Sequence, residues 1–298
     1  MVEWLDGLPR FELALADSGY PAALAATEFA PDRLYGIGDP VRLVTGLAVV
    51  GARKATPYGL QAGTLFAGWA ARAGYTIISG GAIGCDQAAH RAALEAAGPT
   101  VAVLGCGADI AYPRGATDLL RSIAESGAVV SEHPWGVRPA PWMFRNRNRI
   151  IAGLSGALLV LEAGLPSGTF ITADFALCAG RDVLVVPGSI FAPECRGANR
   201  LLRQGAAPIT DVSELAAALA GPLGPPLRHP GDAWSLDGAT PTDDPVLAAL
   251  RTGHLRPDDL ARLLSMDIVH LARRIGALEL RGLVVKFPDG RYGPTPEQ

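Results

Sequence analysis

Six short apolar runs recur between residues 47 and 187: LAVVG (47–51), YTIIS (75–79), TVAVLG (100–105), AVVS (128–131), ALLVLE (157–162) and DVLVVP (182–187). The stretches between and after them, roughly 58–73, 86–97, 115–126, 147–154, 169–179 and 199–204, read as helices. Continuous Val/Ile/Leu runs separated by helices predict a parallel sheet buried on both faces, because each crossover lays a helix against it. The fold expected is therefore α/β, an extended Rossmann-like, doubly wound, mostly parallel sheet. In such sheets a ligand binds in the crevice at the carboxyl ends of the strands. The residues that follow each run are where function should lie.

The second run illustrates the point. Tyr75–Ser79 leads into Ser79-Gly80-Gly81-Ala82-Ile83-Gly84, and a helical pattern begins near Asp86. A strand–glycine turn–helix unit exposes backbone N–H groups at the positive end of a helix, which suits a phosphate. Glycine lets the anion approach without meeting a Cβ. The expectation is that Ser79, Gly80, Gly81 and Gly84 hold a phosphate of a nucleic-acid strand, although a tight turn that binds nothing has the same sequence. The other strand ends carry Gly51, Arg53 and Lys54; Gly105–Arg114; Ser167, Gly168 and Thr169; and Pro187-Gly188-Ser189 with Arg196–Arg200 further on. Turn formation explains the glycines but not the recurrence of bases at one edge.

The segment WGVRPAPWMFRNRNR (135–149) interleaves Trp135, Trp142 and Phe144 with Arg138, Arg145, Arg147 and Arg149. Aromatic faces stack on bases and guanidiniums take phosphates. Pro139 and Pro141 are expected to keep the chain extended before a helix, and arginines crowded at a helix start oppose its dipole unless an anion compensates. A buried aromatic cluster with a solvated helix start is the alternative.

Composition limits the rest. At 298 residues the chain is long enough for a full core and two domains. The net charge of −3 requires any nucleic-acid contact to be a local patch. No apolar run approaches the ~20 residues that span a bilayer, and the start, MVEWLDGLPRFELALADSGY, lacks the basic region of a signal peptide. A cytoplasmic protein with no membrane contact is expected. Cys85, Cys106, Cys178 and Cys195 have no CxxC spacing, so they read as reduced thiols.

Residues 1–45 show two short helical patterns and are expected to form an N-terminal cap, with the Rossmann-like domain over 46–220. Residues 221–240, rich in Pro and Gly, read as a linker. Over 241–298, three short helical patterns and a hairpin around Pro288-Asp289-Gly290 predict a small winged-helix domain. Its eight bases and eight acids balance, unlike the basic surface usual for a DNA grip. A regulatory or protein-contact role is expected for it; a transcription-type regulator is the rival.

Catalytic signatures are missing. There is no GxGxxG after a strand and no GxxxxGK[ST], which excludes dinucleotide and P-loop sites. Asp86 and His90 are four apart and could share a helix face, but a helix-capping Asp with a locally bonded His fits as well. Glu132-His133 are neighbours in an extended chain and point opposite ways. Asp109, Glu162 and Asp174 fall near the crevice without a spacing that gives them a shared task.

In order along the chain, GARKATPYG, SGGAIGCDQAAH, TVAVLGCGADIAYP, SEHPWG, FRNRNRIIAGLS, SGTFITADFALCAGRDVLVVPG and GANRLLRQGA resemble the blocks of the DNA-processing protein A (DprA, or Smf) family over roughly residues 20–215. The resemblance implies a Rossmann-like domain that binds single-stranded DNA, protects it, and loads the RecA recombinase during natural transformation. It also implies a homodimer, no cofactor and no catalysis. Carried over by motif, the DNA-binding residues are Gly51, Arg53 and Lys54; Ser79, Gly80, Gly81 and Gly84; Arg114; Phe144, Arg145, Arg147, Asn148 and Arg149, with Phe144 as the stacking ring; and Ser167, Gly168 and Thr169. Cys85, Ala116 and Arg145 depart from the family pattern. A nucleoside-monophosphate phosphoribohydrolase, which resembles the same Rossmann variant, is the enzymatic alternative; where its pattern has Glu, this chain has Thr172.

Overall fold

The computed structural model describes residues 7–226 and 245–294, except 254, 265, 281–282 and 288–289. The linker expected over 221–240 lies outside the described residues from 227 onward, as do Pro288 and Asp289 of the hairpin turn. Two compact units divide the chain at His229/Pro230.

The first unit is built on one nine-stranded sheet in the order β1-β2-β6-β5-β4-β3-β7-β8-β9. Its strands are β1 (Arg10–Ala14), β2 (Arg33–Gly38), β3 (Gly46–Val50), β4 (Ile77–Ser79), β5 (Thr100–Val103), β6 (Ala128–Ser131), β7 (Ser155–Val160), β8 (Asp182–Val185) and β9 (Ala207–Pro208). From β3 to β9 every pairing is parallel. The helices between them are α2 (Pro57–Arg72), α3 (Cys85–Glu95), α4 (Thr117–Ser126), α5 (Pro141–Leu154), α6 (Thr169–Cys178), α7 (Arg196–Arg203) and, after β9, α8 (Val212–Ala220). The six predicted strands are β3 to β8, and every residue of β3, β5, β6 and β7 is buried, as the unbroken apolar runs require.

Residues 1–45 do more than cap. After β1 comes a single helical turn, α1 (Ala22–Ala25), and then β2; β1 pairs antiparallel with β2 and β2 antiparallel with β6, so the region extends the sheet. Alternation in RFELA is short, and an edge strand buries one face only, which leaves little periodicity to read.

The chain builds outward from β3 through β4, β5 and β6, then returns to place β7 on the other side of β3. That reversal is a topological switch point, and the crevice opens outside the carboxyl ends of β3 and β7. α2 begins there. Thr56 is its N-cap, accepting from the Gly59 amide, and Pro57 is pre-set for the first turn. Glu162, buried at the end of β7, accepts from the Thr56 amide and, at 2.8 Å, from its hydroxyl. Its carboxylate therefore anchors a helix start. On the inner face of α2, Gly63 and Gly68 let α3 approach until added Cβ atoms would meet Ala88 and Ala92 at 3.3 and 3.7 Å. Phe66, 2 % exposed, anchors this layer; burying a side chain of that size stabilises by roughly 1.5–3 kcal/mol.

The second unit contains α9 (Pro245–Thr252), α10 (Pro257–Leu263), α11 (Ile268–Leu280) and an antiparallel hairpin of β10 (Val284–Lys286) and β11 (Tyr292–Pro294). Val246, Leu250, Leu260, Leu271, Ile275, Leu278 and Val284 form its core. Three helices and a hairpin are the winged-helix arrangement. No helix among the described residues is long and apolar enough to cross a membrane.

Candidate nucleic-acid interface

α5 begins at Pro141, six residues before the helix expected from periodicity. Pro141 does not hold the chain extended: it stands at the first helical position, behind Ala140 in extended geometry, where a missing N–H costs nothing. Trp142, Phe144 and Arg145 are thereby helical and share the start of α5. Phe144 lies over Gly105, where a Cβ would sit 2.9 Å from the ring's Cδ1; only glycine leaves room for that contact.

Two rings and a guanidinium meet at this point. The Tyr112 and Phe144 centroids are 5.0 Å apart, and the Arg53 guanidinium lies 5.7 Å from the Phe144 ring. They border an open groove of about 1020 Å³, lined on one side by Gly51 and Arg53 and along α5 by Trp142, Phe144, Arg145, Asn146 and Asn148. Ser167, Gly168 and Thr169 at the start of α6 line it too. An adjoining pocket of about 310 Å³ takes in Arg53, Lys54, Ile83, Gly105, Cys106, Tyr112 and Phe144. Among the described residues Asp86 is the one acid lining either space. Because it faces Arg147, Arg53, Lys54 and Arg145 supply the surplus positive charge. The groove spans the switch point.

The Tyr75–Leu94 stretch behaves differently from expectation. The amides of Gly80 and Ala82 point at the Asp86 carboxylate, at 3.2 and 3.3 Å, so the turn's anion is internal. Arg147, only 4 % exposed, inserts beneath and donates to the carbonyls of Gly80, at 2.7 Å, and of Val103. A Cβ on Gly80 would come within 2.5 Å of that guanidinium. Glycine is required here for an arginine of the same chain. Burial pushes the Asp86 carboxyl up and Arg147 pulls it back; burial holds Arg147 down to about 10, still a cation at neutral pH. Ser79 is fully buried and donates to the Val49 carbonyl at 2.6 Å. Gly81 is buried with φ +68°, and Gly84 packs its Cα face on the Ala52 and Arg53 carbonyls.

Arg149 is also committed elsewhere: it pairs with Glu132 and donates to the Phe29 carbonyl at 2.6 Å. Arg114 sits exposed on a 3₁₀ turn directly after Tyr112-Pro113, outside the groove lining. Trp135 packs edge-on against Tyr35 beneath the Arg10 guanidinium and donates to Glu12 at 3.0 Å, so it fastens the antiparallel edge. Tyr112 is a groove residue that the spacing did not single out, whereas Trp142, one of the interleaved aromatics, lines the groove from within a helix. Tyr112 sits one residue before the proline of its strand-end loop, and Trp142 was legible as an aromatic but not as part of a helix.

The remaining polar candidates are structural. His90 is fully buried, with Nδ1 2.7 Å from the Thr100 hydroxyl. That hydroxyl gives its proton to the Ile77 carbonyl, so Nδ1 is the protonated nitrogen of His90 and Nε2 has no partner. Burial holds its pKa down to about 3. Glu132 faces Arg149, whereas the His133 ring stands edge-on to Trp142 at 5.9 Å, so the two form no dyad. Asp109 accepts from the Gly136 amide. Thr172, buried, lines the groove where a phosphoribohydrolase would need its carboxylate. Among the described residues no group of three or more His, Cys, Asp or Glu could hold a metal ion.

A doubly wound sheet with a cationic, aromatic groove at its switch point, together with a winged-helix unit, defines a Rossmann-like protein whose groove suits a polyanion. The model of DNA recombination-mediator protein A matches residues 12–220, and that of the DprA winged helix domain matches 230–290. The chain belongs to this family. It is 38 % identical over 285 residues to a putative DNA processing protein DprA from Mycobacterium tuberculosis, covering 93 % of this chain and 72 % of that one. It is 44 % identical over 215 residues to protein Smf of Escherichia coli, covering 71 % and 57 % respectively. The structure of DNA processing protein A from Streptococcus pneumoniae superposes with a TM-score of 0.66 at 35 % identity, covering 72 % of this chain and 75 % of that one. That of the Helicobacter pylori protein, reported for its single-stranded DNA binding mode, superposes with a TM-score of 0.64 at 29 % identity, covering 70 % and 94 %.

Proposed function

We propose that this chain is a single-stranded DNA-binding recombination mediator. It holds the strand in the switch-point groove and, as a homodimer in the cytoplasm, protects incoming DNA and loads RecA recombinase onto it during natural transformation. The observation that carries the DNA reading is the meeting of Arg53, Phe144 and Tyr112 at one groove wall. A base unstacked from its neighbours finds a ring face there, and its phosphates find Arg53, Lys54 and Arg145. Phosphate contact by mobile surface cations together with base–ring stacking is the recipe for sequence-tolerant binding of single strands. A duplex keeps its bases paired and offers the rings nothing to stack on. The Thr169 hydroxyl, which accepts from the Ser167 hydroxyl at 3.0 Å while Ser167 accepts from the Thr169 amide at 3.2 Å, lines the groove at the start of α6 and supplies a further phosphate donor. No proton transfer or covalent step is required, so the function is binding and hand-over.

The test is anisotropy of a labelled oligo(dT) against a duplex of the same length, over a range of salt. Tighter single-strand binding that weakens steeply with salt is expected. Equal affinity for both, or wild-type affinity in both Arg53→Ala and Phe144→Ala, overturns the groove. Loading is read as faster RecA filament growth on the bound oligonucleotide. A RecA growth rate unchanged by this protein removes the mediator role.

A further inference from the structure

Phe191 is 88 % exposed and its neighbour Ile190 77 %. Two large apolar side chains this bare on one turn form a contiguous patch, the kind of surface that marks an interaction site. The turn is also firmly built. The Phe191 amide donates to the Ser189 hydroxyl at 3.2 Å, and Ala192 to the Ser189 carbonyl. Gly188 and Asn199 exchange two hydrogen bonds, Tyr58 donates to the Pro187 carbonyl, and the amides of Gly197 and Ala198 close on Ala163. A pinned turn that presents an aromatic outward has lost the entropy of ordering before any ligand arrives.

The place of this turn indicates the ligand. It follows β8, at the same carboxyl edge as the groove, and its Pro193–Glu194 stretch packs on Gly164, a groove-lining residue. Beyond it α7 carries exposed Arg196 and Arg200, and Arg200 lies 5.6 Å over the ring of Phe170, next to Thr169. Glu194 is the one exposed acid in the turn. The rims are thus continuous in surface and mostly in charge.

We infer that Phe191 is a second base-stacking platform for the same single-stranded DNA, so that the strand runs across the sheet edge from Phe144 to the turn after β8. This rests on the groove reading above. Phe144 stands over the end of β5, four strand spacings from β8, or about 19 Å at the usual separation. A stacked strand advances ~3.4 Å per nucleotide, so about six nucleotides link the two platforms. Tetranucleotides in stacked form reach one platform; dodecanucleotides reach both.

Phe191→Ser, at an exposed position that leaves the core untouched, is compared with wild type and Phe144→Ala on (dT)12. Phe191→Ser is expected to weaken (dT)12 roughly 5- to 30-fold. In a Trp142→Phe/Phe191→Trp double variant, addition of (dT)12 is expected to quench the new indole. Wild-type affinity in Phe191→Ser alongside a loss in Phe144→Ala overturns the second platform and leaves the groove standing. Wild-type affinity in both variants instead removes the groove itself. Dissociation of the Phe191→Ser oligomer with DNA affinity intact assigns the turn to an interface between copies and overturns the inference.

Discussion

Arg147 and Asp86 hold the two backbone polar groups of one residue, Gly80: the guanidinium donates to its carbonyl at 2.7 Å, and the carboxylate accepts from its amide at 3.2 Å. One buried pair thereby ties α5 to the turn after β4, and Phe144 stands one helical turn before Arg147.

Arg147→Ala leaves Asp86 buried without its counter-charge. A loss of about 3–5 kcal/mol follows for removal of one partner of a buried pair. For a unit of this size that lowers the melting temperature by roughly 6–20 °C. Calorimetry or circular dichroism reads it directly. A variant that melts with wild type would mean the pair contributes nothing to the fold.

The exposed cations behave in the opposite manner. Arg53→Ala is expected to melt like wild type and to reduce the log–log salt slope of oligo(dT) binding by about 0.7, the amount for one phosphate contact on a single strand. Phe144→Ala removes stacking of about 1–3 kcal/mol and leaves that slope unchanged. Titrations at four or five salt concentrations separate the two effects.

Arg149→Ala tests a residue that its motif places with the DNA contacts and its partners place in the fold. It leaves Glu132 and the Phe29 carbonyl without a donor, at a cost of about 1–3 kcal/mol. Stability should fall while oligo(dT) affinity in the folded protein holds. The reverse pattern would put Arg149 on the strand.

His90 makes the first unit acid-sensitive. Its pKa lies near 3 in the fold and near 6.5 when unfolded. The unfolded chain therefore binds the proton first, and stability is full above pH 6.5 and declines as pH falls towards 3. The slope from this one group approaches about 1.4 kcal/mol per pH unit. His90→Gln, which does not titrate, is expected to flatten the decline in denaturant melts between pH 6.5 and 4. An undiminished slope in the variant would place the sensitivity elsewhere.

The layered body was legible because β3 to β8 are buried on both faces and so carry unbroken apolar runs. β1 was not, since an edge strand buries one face and RFELA alternates too briefly, and β2 was not, since two glycines interrupt the apolar run of RLYGIG. The switch point follows from the strand order, which no local pattern encodes; knowing only that ligands favour the carboxyl edge was enough to collect Arg53, Phe144 and Ser167. What spacing could not resolve was which of four arginines between 138 and 149 turn inward. Arg145 and Arg147 differ by two residues, and on a helix that is slightly more than half a turn, which sets them on opposite faces. Expecting the helix to begin after Pro141 rather than at it hid the answer. Nor could spacing show that the turn expected to hold a phosphate, Ser79-Gly80-Gly81, gives the space beside Gly80 to Arg147.

Because Arg147 spends its donors on the Gly80 and Val103 carbonyls beneath the groove, the outer guanidiniums owe nothing to the architecture below them. Grip and scaffold are separable quantities in this molecule: reversing the sign of Arg53 or Arg145 should retune how hard the rim holds a polyanion while the body beneath keeps its shape.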